Sequence, residues 1–176
     1  MLRATAVLFS TSLSLALAAP AHGQADLNDL EMAHVAVTAS NIDIAYAHLA
    51  LAFSSNAAVR EFAETMIRDH SAVNAQVAAL ADRLGVKAQD NAMSRQLLQD
   101  AERIKGELSR LRGPAFDQYY VTNELKYHRT VNGVVADAFI PNVKNPEVKK
   151  AFQEALTIFR VHERHAASLV QEVAAR

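Results

Sequence analysis

Residues 54–85 read SSNAAVREFAETMIRDHSAVNAQVAALADRLG. Within this stretch Val59, Phe62, Met66, His70, Val73, Val77, Leu80 and Leu84 recur three and four apart, so a helix from Ala57 to about Leu84 keeps all of them on one face. Ser54, Ser55 and Asn56 supply a break and an N-cap, and Gly85 supplies a C-cap. One position in the apolar stripe is not apolar. His70 falls in the middle of it, where an ionisable ring must be satisfied by something.

Upstream, Met32, Val35, Ala39, Ile42, Tyr46, Leu49 and Phe53 follow the same spacing and predict a helix from near Leu27 to Phe53. The short break between the two helices makes them antiparallel neighbours. Downstream, residues 86–112 are charged but periodic, with Met93, Leu97, Ala101, Ile104, Leu108 and Leu111 marking a thinner amphipathic helix that reads as a crossover. Gly113 and Pro114 reset the direction for a helix from Ala115 to about Phe139, since proline suits a first helical turn. A turn from Pro141 to Asn145 leads into a last helix from Pro146 to near Ala174. Its stripe, Val148, Phe152, Ala155, Phe159, His162, Ala166, Leu169 and Val173, again carries a histidine. The fourth helix does the same with His128 between Leu125 and Val135. These elements predict an all-α fold, a four-helix bundle with a helical crossover between the second and third long helices.

The first residues carry a single charge at Arg3, an uncharged stretch from Ala4 to Ala18, and small residues up to Gly23. This is the pattern of a secretory signal peptide over residues 1–23, cut after Ala21 or Gly23, and it predicts a periplasmic or exported protein. Residues 24–176 are then a single domain. No later segment is expected to span a membrane. Removing Arg3 leaves 17 basic and 19 acidic residues, a net charge of −2 that gives no electrostatic reason to expect nucleic acid as a partner. The absence of cysteine excludes disulfides, thiolate ligands and lipoprotein-type lipidation, so the fold rests on packing. No nucleophile elbow, phosphate loop or paired-acid motif stands out, which argues against a hydrolase or nucleotide enzyme.

Helical rise brings the candidate site together. At about 1.5 Å per residue, Asp43 and His70 lie nearly equal distances from the first turn, and Glu124 and His162 nearly equal distances from the second. His128 is one turn from Glu124. Carboxylates and imidazoles converging from facing helices are the way bundle-core metal sites are built, so Asp43, His70, Glu124, His128 and His162 form a candidate site for copper, zinc or iron. Met66, one turn before His70, and His165, one turn after His162 with Glu163 between, are possible additions. The competing reading is a structural or interaction module of the cell envelope whose histidines are satisfied by internal hydrogen bonds.

The stretches LALAFSSNAAVREFAETMIRDHSAVNAQVAALADRLGV, GPAFDQYYVTNELKYH and NPEVKKAFQEALTIFRVHERH resemble the bacterial exported family called domain of unknown function 4142. That resemblance implies a ferritin-like helical bundle. The family's Met-x-x-Asp-His pattern falls on Met66, Asp69 and His70, and its later helix histidines on His128 and His162. Two departures are visible. The first-helix Glu-x-Glu of the family is Asp43 and Ala45 here, and Ile67 and Phe159 stand where a ferritin-type Glu-x-x-His would place glutamates. Di-iron oxidase chemistry is therefore not implied. The expectation is a bundle that binds or sequesters a metal in envelope stress, without turnover.

Overall fold

The computed structural model describes residues 27–175, so the expected signal peptide and its cleavage site, including His22, lie outside the described residues. Those described are all helical apart from their connections: α1 (Asp29–Phe53), α2 (Ala57–Leu84), α3 (Ala92–Arg110), α4 (Gly113–Val134), a π-helical turn (Val135–Phe139), the three-residue α5 (Ile140–Asn142) and α6 (Pro146–Ala174).

Each helix start has a local cause. The Asn28 side chain accepts from the Leu30 and Glu31 backbone N–H groups while Glu31 accepts from that of Asn28, a reciprocal capping box. The Asn56 and Asn145 side chains cap α2 and α6 by accepting from backbone N–H groups of the first turn, without a reciprocal contact, and Pro146 opens the latter. Gly85 ends α2 at φ 66°, a left-handed conformation that glycine adopts without a Cβ clash.

Two boundaries differ from the sequence expectation. The crossover helix begins at Ala92 rather than near Val86, because Asn91 caps it and the preceding segment is tied to α1 by a Gln89 N–H to Leu30 carbonyl bond. The fourth helix does not run as a regular α-helix to Phe139. From Val135 it widens to a π-helix, with Ile140 N–H donating to the Val135 carbonyl, and continues through Asn142. Pro141 has no N–H to extend an α-helical ladder at this point.

The helices form two close pairs, α1 with α2 and α4 with α6, which meet along the looser α2–α6 and α1–α4 seams. The crossover α3 lies mainly on α1. Two separate apolar clusters result. One contains Tyr46, Phe62, Met66, Leu108, Phe116, Tyr120 and Leu169, and the other Met32, Val35, Val135, Phe139, Phe152 and Leu156. On α4 and α6, Glu124, His128 and His162 fall between the clusters, and on α1 Asp43 sits beside Ile42 where the first cluster begins, so a buried polar layer lies at the junction of two apolar ends.

The sequence expectation that no later segment is apolar enough to cross a membrane needs correction. Among the described residues α1 meets that criterion by length and composition, because its Ala, Val, Ile and Leu content is high, although half of its most apolar stretch is buried against other helices.

Candidate metal centre

Four helices each contribute to the polar layer, and every contribution arises from a stripe position that helical spacing turns inward. Asp43 Oδ2 on α1 lies 3.5 Å from His70 Nε2 on α2 and 3.4 Å from His128 Nε2 on α4. Glu124, one turn before His128, places Oε2 3.8 Å from His128 Nδ1. One potential ligand atom from each of His70, His128 and His162 lies within 4.8 Å of the others, and the same holds for Asp43, Glu124 and His128. The two sets share His128. All five residues are buried, with Asp43 and Glu124 at 0% exposure.

A second ring of contacts orients the imidazoles. His128 Nδ1–H donates to the Glu124 backbone carbonyl at 3.0 Å, which leaves the lone pair of the neutral ring on Nε2, facing Asp43. His70 Nδ1 is 2.8 Å from Ser40 Oγ, and its ring stacks on Phe159 with centroids 4.3 Å apart. His162 Nε2 meets Asp69 Oδ2 at 2.9 Å, and Asp69 is itself held by Arg68 Nε at 2.8 Å. Each imidazole thus has one nitrogen engaged with a protein group. Such engagement is how metal-bound histidines are fixed in tautomer and orientation.

The other nitrogens are not engaged. His70 Nε2, His128 Nε2 and His162 Nδ1 are buried without a hydrogen-bond partner, and the buried Asp43 and Glu124 carboxyls have little beyond each other and Asn123 to bond to. Burial pushes the Glu124 carboxyl well above the usual range, and the nearby Asp43 charge pushes it further. Burial also raises Asp43, to about 6, against the opposing pull of His128 and of a hydrogen bond from Glu124. A protonated Glu124 can therefore donate to Asp43, which satisfies one contact in the layer. The histidines move the other way. Desolvation and the neighbouring His162 bring His70 down to about 3, and desolvation is the first cause of the lowering at His128 and His162. Neutral imidazoles and a shared carboxyl proton make the layer rich in acceptors and poor in donors. A cation is the species that such a layer accommodates with least rearrangement.

The five residues expected from the sequence come together, and the two possible additions do not. Met66 is buried in the apolar cluster with Phe62 and Tyr120. His165 is exposed and set edge-on to Phe62 at 5.1 Å. Sequence reading did not single out Ser40, named Asp69 only within the family pattern and placed Phe159 only in the apolar stripe. Ser40 stands three residues before Asp43 on the same face of α1, a spacing that signals a shared environment. Asp69 precedes His70 by one residue and so points about a quarter-turn away, towards α6 rather than into the layer. Only knowledge of which helix neighbours α2 reveals its partner.

A family model described as domain of unknown function (DUF4142) matches residues 14–169. No curated protein and no solved structure matches the chain.

Proposed function

The chain belongs to the DUF4142 family, and on that premise we propose that it is an exported, ferritin-like four-helix bundle whose polar layer binds a transition-metal ion without turning over a substrate. In this reading α1, α2, α4 and α6 are the bundle, α3 is its crossover, and α1 is a core helix rather than a membrane span. The observation that carries the proposal is the convergence of buried imidazole nitrogens and carboxyl oxygens from Asp43, His70, Glu124, His128 and His162, in two sets of three that share His128. Three imidazoles with two carboxylates suit zinc, iron or copper(II). With Met66 in the apolar cluster, nothing in the layer offers the thioether that favours copper(I). Sequestration of such an ion in the envelope, rather than redox chemistry, fits a site whose five residues are all buried.

A structural or interaction role with internally satisfied histidines remains the second reading, supported by the bonds of His128 to the Glu124 carbonyl and of His162 to Asp69. Titration of metal-depleted protein with zinc, copper or iron separates the two. The proposal expects stoichiometric binding, a melting temperature that rises with metal, and loss of both in His70→Ala and His162→Ala while helical content persists. A parent protein with no saturable binding and a melting temperature indifferent to all three metals overturns it.

A further inference from the structure

The end of the molecule containing Phe152 and Val135 holds a cavity of about 80 Å³ between the two helix pairs. Its wall extends along α1 from Leu30 to Asp43, thirteen residues or about 20 Å of helix, and along α6 from Val148 to Phe159. The wall is apolar for most of this length. Alanines on α1 and α6, among them Ala36 and Ala155, leave the space that aromatic side chains fill at the opposite end. Polar groups gather where the cavity meets Asp43, His70 and His128. At the other extreme are Leu84, Val86, Ala88 and Val148, several of them partly exposed, and the Arg83–Glu147 ion pair joins α2 to α6 beside Leu84 and Val148.

We propose that this cavity binds a single linear aliphatic chain with an anionic head, the chemistry of a fatty acid, with the chain inside and the head at the Leu84–Val148 mouth. Shape, wall and charge each narrow the occupant. The volume is several times the 10–15 Å³ or so that one water requires, yet the walls supply few of the two to four polar partners an ordered water needs. A peptide helix, about 10 Å across, is too wide for a space so long and small. An aromatic ring uses only a fraction of the length, whereas an extended alkyl chain contacts the wall throughout and gains with every methylene it buries. An anionic head has no place at the inner end, where the buried carboxyls of Asp43 and Glu124 already crowd the acceptors. Along the chain at this end, Lys87 adjoins the wall residues Val86 and Ala88 and Lys149 adjoins Val148, while the acidic neighbour Glu147 is already paired with Arg83. These cations complement a carboxylate. The proposal does not require a metal in the polar layer.

Calorimetric titration of the purified protein with decanoate, toluene and decylammonium tests it. Saturable one-to-one binding of decanoate is expected, with affinity reduced about tenfold or more in Ala155→Phe, the equivalent of excluding two methylenes. Lys87→Glu combined with Lys149→Glu, which leaves the cavity wall untouched, is expected to weaken decanoate severalfold and to strengthen decylammonium relative to it. Helical content and melting temperature of the ligand-free variants report that the fold is intact. If Ala155→Phe does not fold, the double lysine variant alone decides. No saturable decanoate binding, binding unchanged in both variants, or toluene bound as tightly as decanoate each overturns the proposal.

Discussion

The two apolar ends of this protein are built differently although both draw on α1, α6 and the fourth helix with its π-helical continuation. At one end Phe62, Met66, Leu108, Phe116 and Tyr120 are fully buried at 0% exposure, and aromatic rings meet edge-on or stacked at Phe62–Tyr120, Phe53–Phe116 and Phe116–Tyr120. At the other, Val135, Phe152 and Leu156 retain 6–7% and border a cavity. Large side chains fill the first end, and alanines and valines line the second. The difference teaches where stability and access reside: the filled end holds the helices in register, so that the polar layer beside it can be precise, and the other end leaves room for a ligand.

The most direct way to break this contrast is to truncate one aromatic residue at each end. Phe62→Ala opens a new hole among residues that cannot relax into it, so a loss of about 3–5 kcal/mol is expected. Phe152→Ala extends a space that already exists and is partly open, so the transfer term dominates and the loss is about 2–3 kcal/mol. Urea melts of both variants provide the comparison. Equal losses would show that the two ends are packed to the same density.

At the polar layer between them, Asp69→Asn probes orientation without removing a candidate ligand. Asp69 is itself outside the acceptor cluster, but it fixes the His162 ring through Nε2. Loss of such an outer partner typically weakens metal affinity 10- to 100-fold. That range is expected here, with little change in the urea midpoint of metal-free protein. A large midpoint shift with no change in metal affinity would place Asp69 in the structural reading instead.

The layer was legible in the sequence because it interrupts a pattern. Three histidines in otherwise apolar stripes, and carboxylates at matching heights, are visible from spacing and helical rise alone, and so were the breaks at Ser54 and Gly113 and the caps at Asn56 and Gly85. What escaped was information that depends on neighbours. Asp69 and Ser40 act across helix interfaces, the π-helical turn at Val135 depends on the incomplete ladder before Pro141, and the cavity is a difference in packing between two stripes that look equally apolar. Met66 illustrates the converse. Its four-residue spacing from His70 gives a shared face, yet one turn is enough to move it from the polar layer to the apolar cluster.

Acidity should act on the layer and spare the filled end. Asp43 has its pKa raised from 3.8 to about 6, so its contribution to the stability of metal-free protein is fully present below pH 4 and is lost as pH rises through about 6. His70 has the opposite sign: lowered from 6.5 to about 3, its contribution is present above pH 6.5 and is lost as pH falls towards 3. The two oppose each other between pH 4 and 6, which flattens the stability profile of the metal-free protein. Metal binding gains no such compensation, because a bound ion needs the Asp43 proton removed. Below pH 6 the metal-induced rise in melting temperature should shrink, with up to about a tenfold loss of affinity per pH unit from Asp43 alone. Melts with and without zinc from pH 5 to 8 test this, and a metal effect constant over that range would remove Asp43 from the ligand set.

The smallest effect expected is on α3, which spans both ends and so reports the contrast along a single helix. Its first turn, with Met93, packs against the cavity end, Leu97 touches both clusters, and Ala101 and Leu108 belong to the filled one. Asn91 caps the start by accepting from the Ser94 N–H, and its Nδ2 donates to the Glu31 carbonyl of α1. Asn91→Ala removes both contacts, and loss of a cap of this kind costs about 1 kcal/mol. If the filled end anchors the helix independently, the loss stays local: amide exchange accelerates around Arg95 to Leu98 and is unchanged around Lys105 to Leu108. Uniform acceleration along α3 would mean that the crossover opens as one unit, and that its attachment to the filled end is no stronger than its attachment to the other.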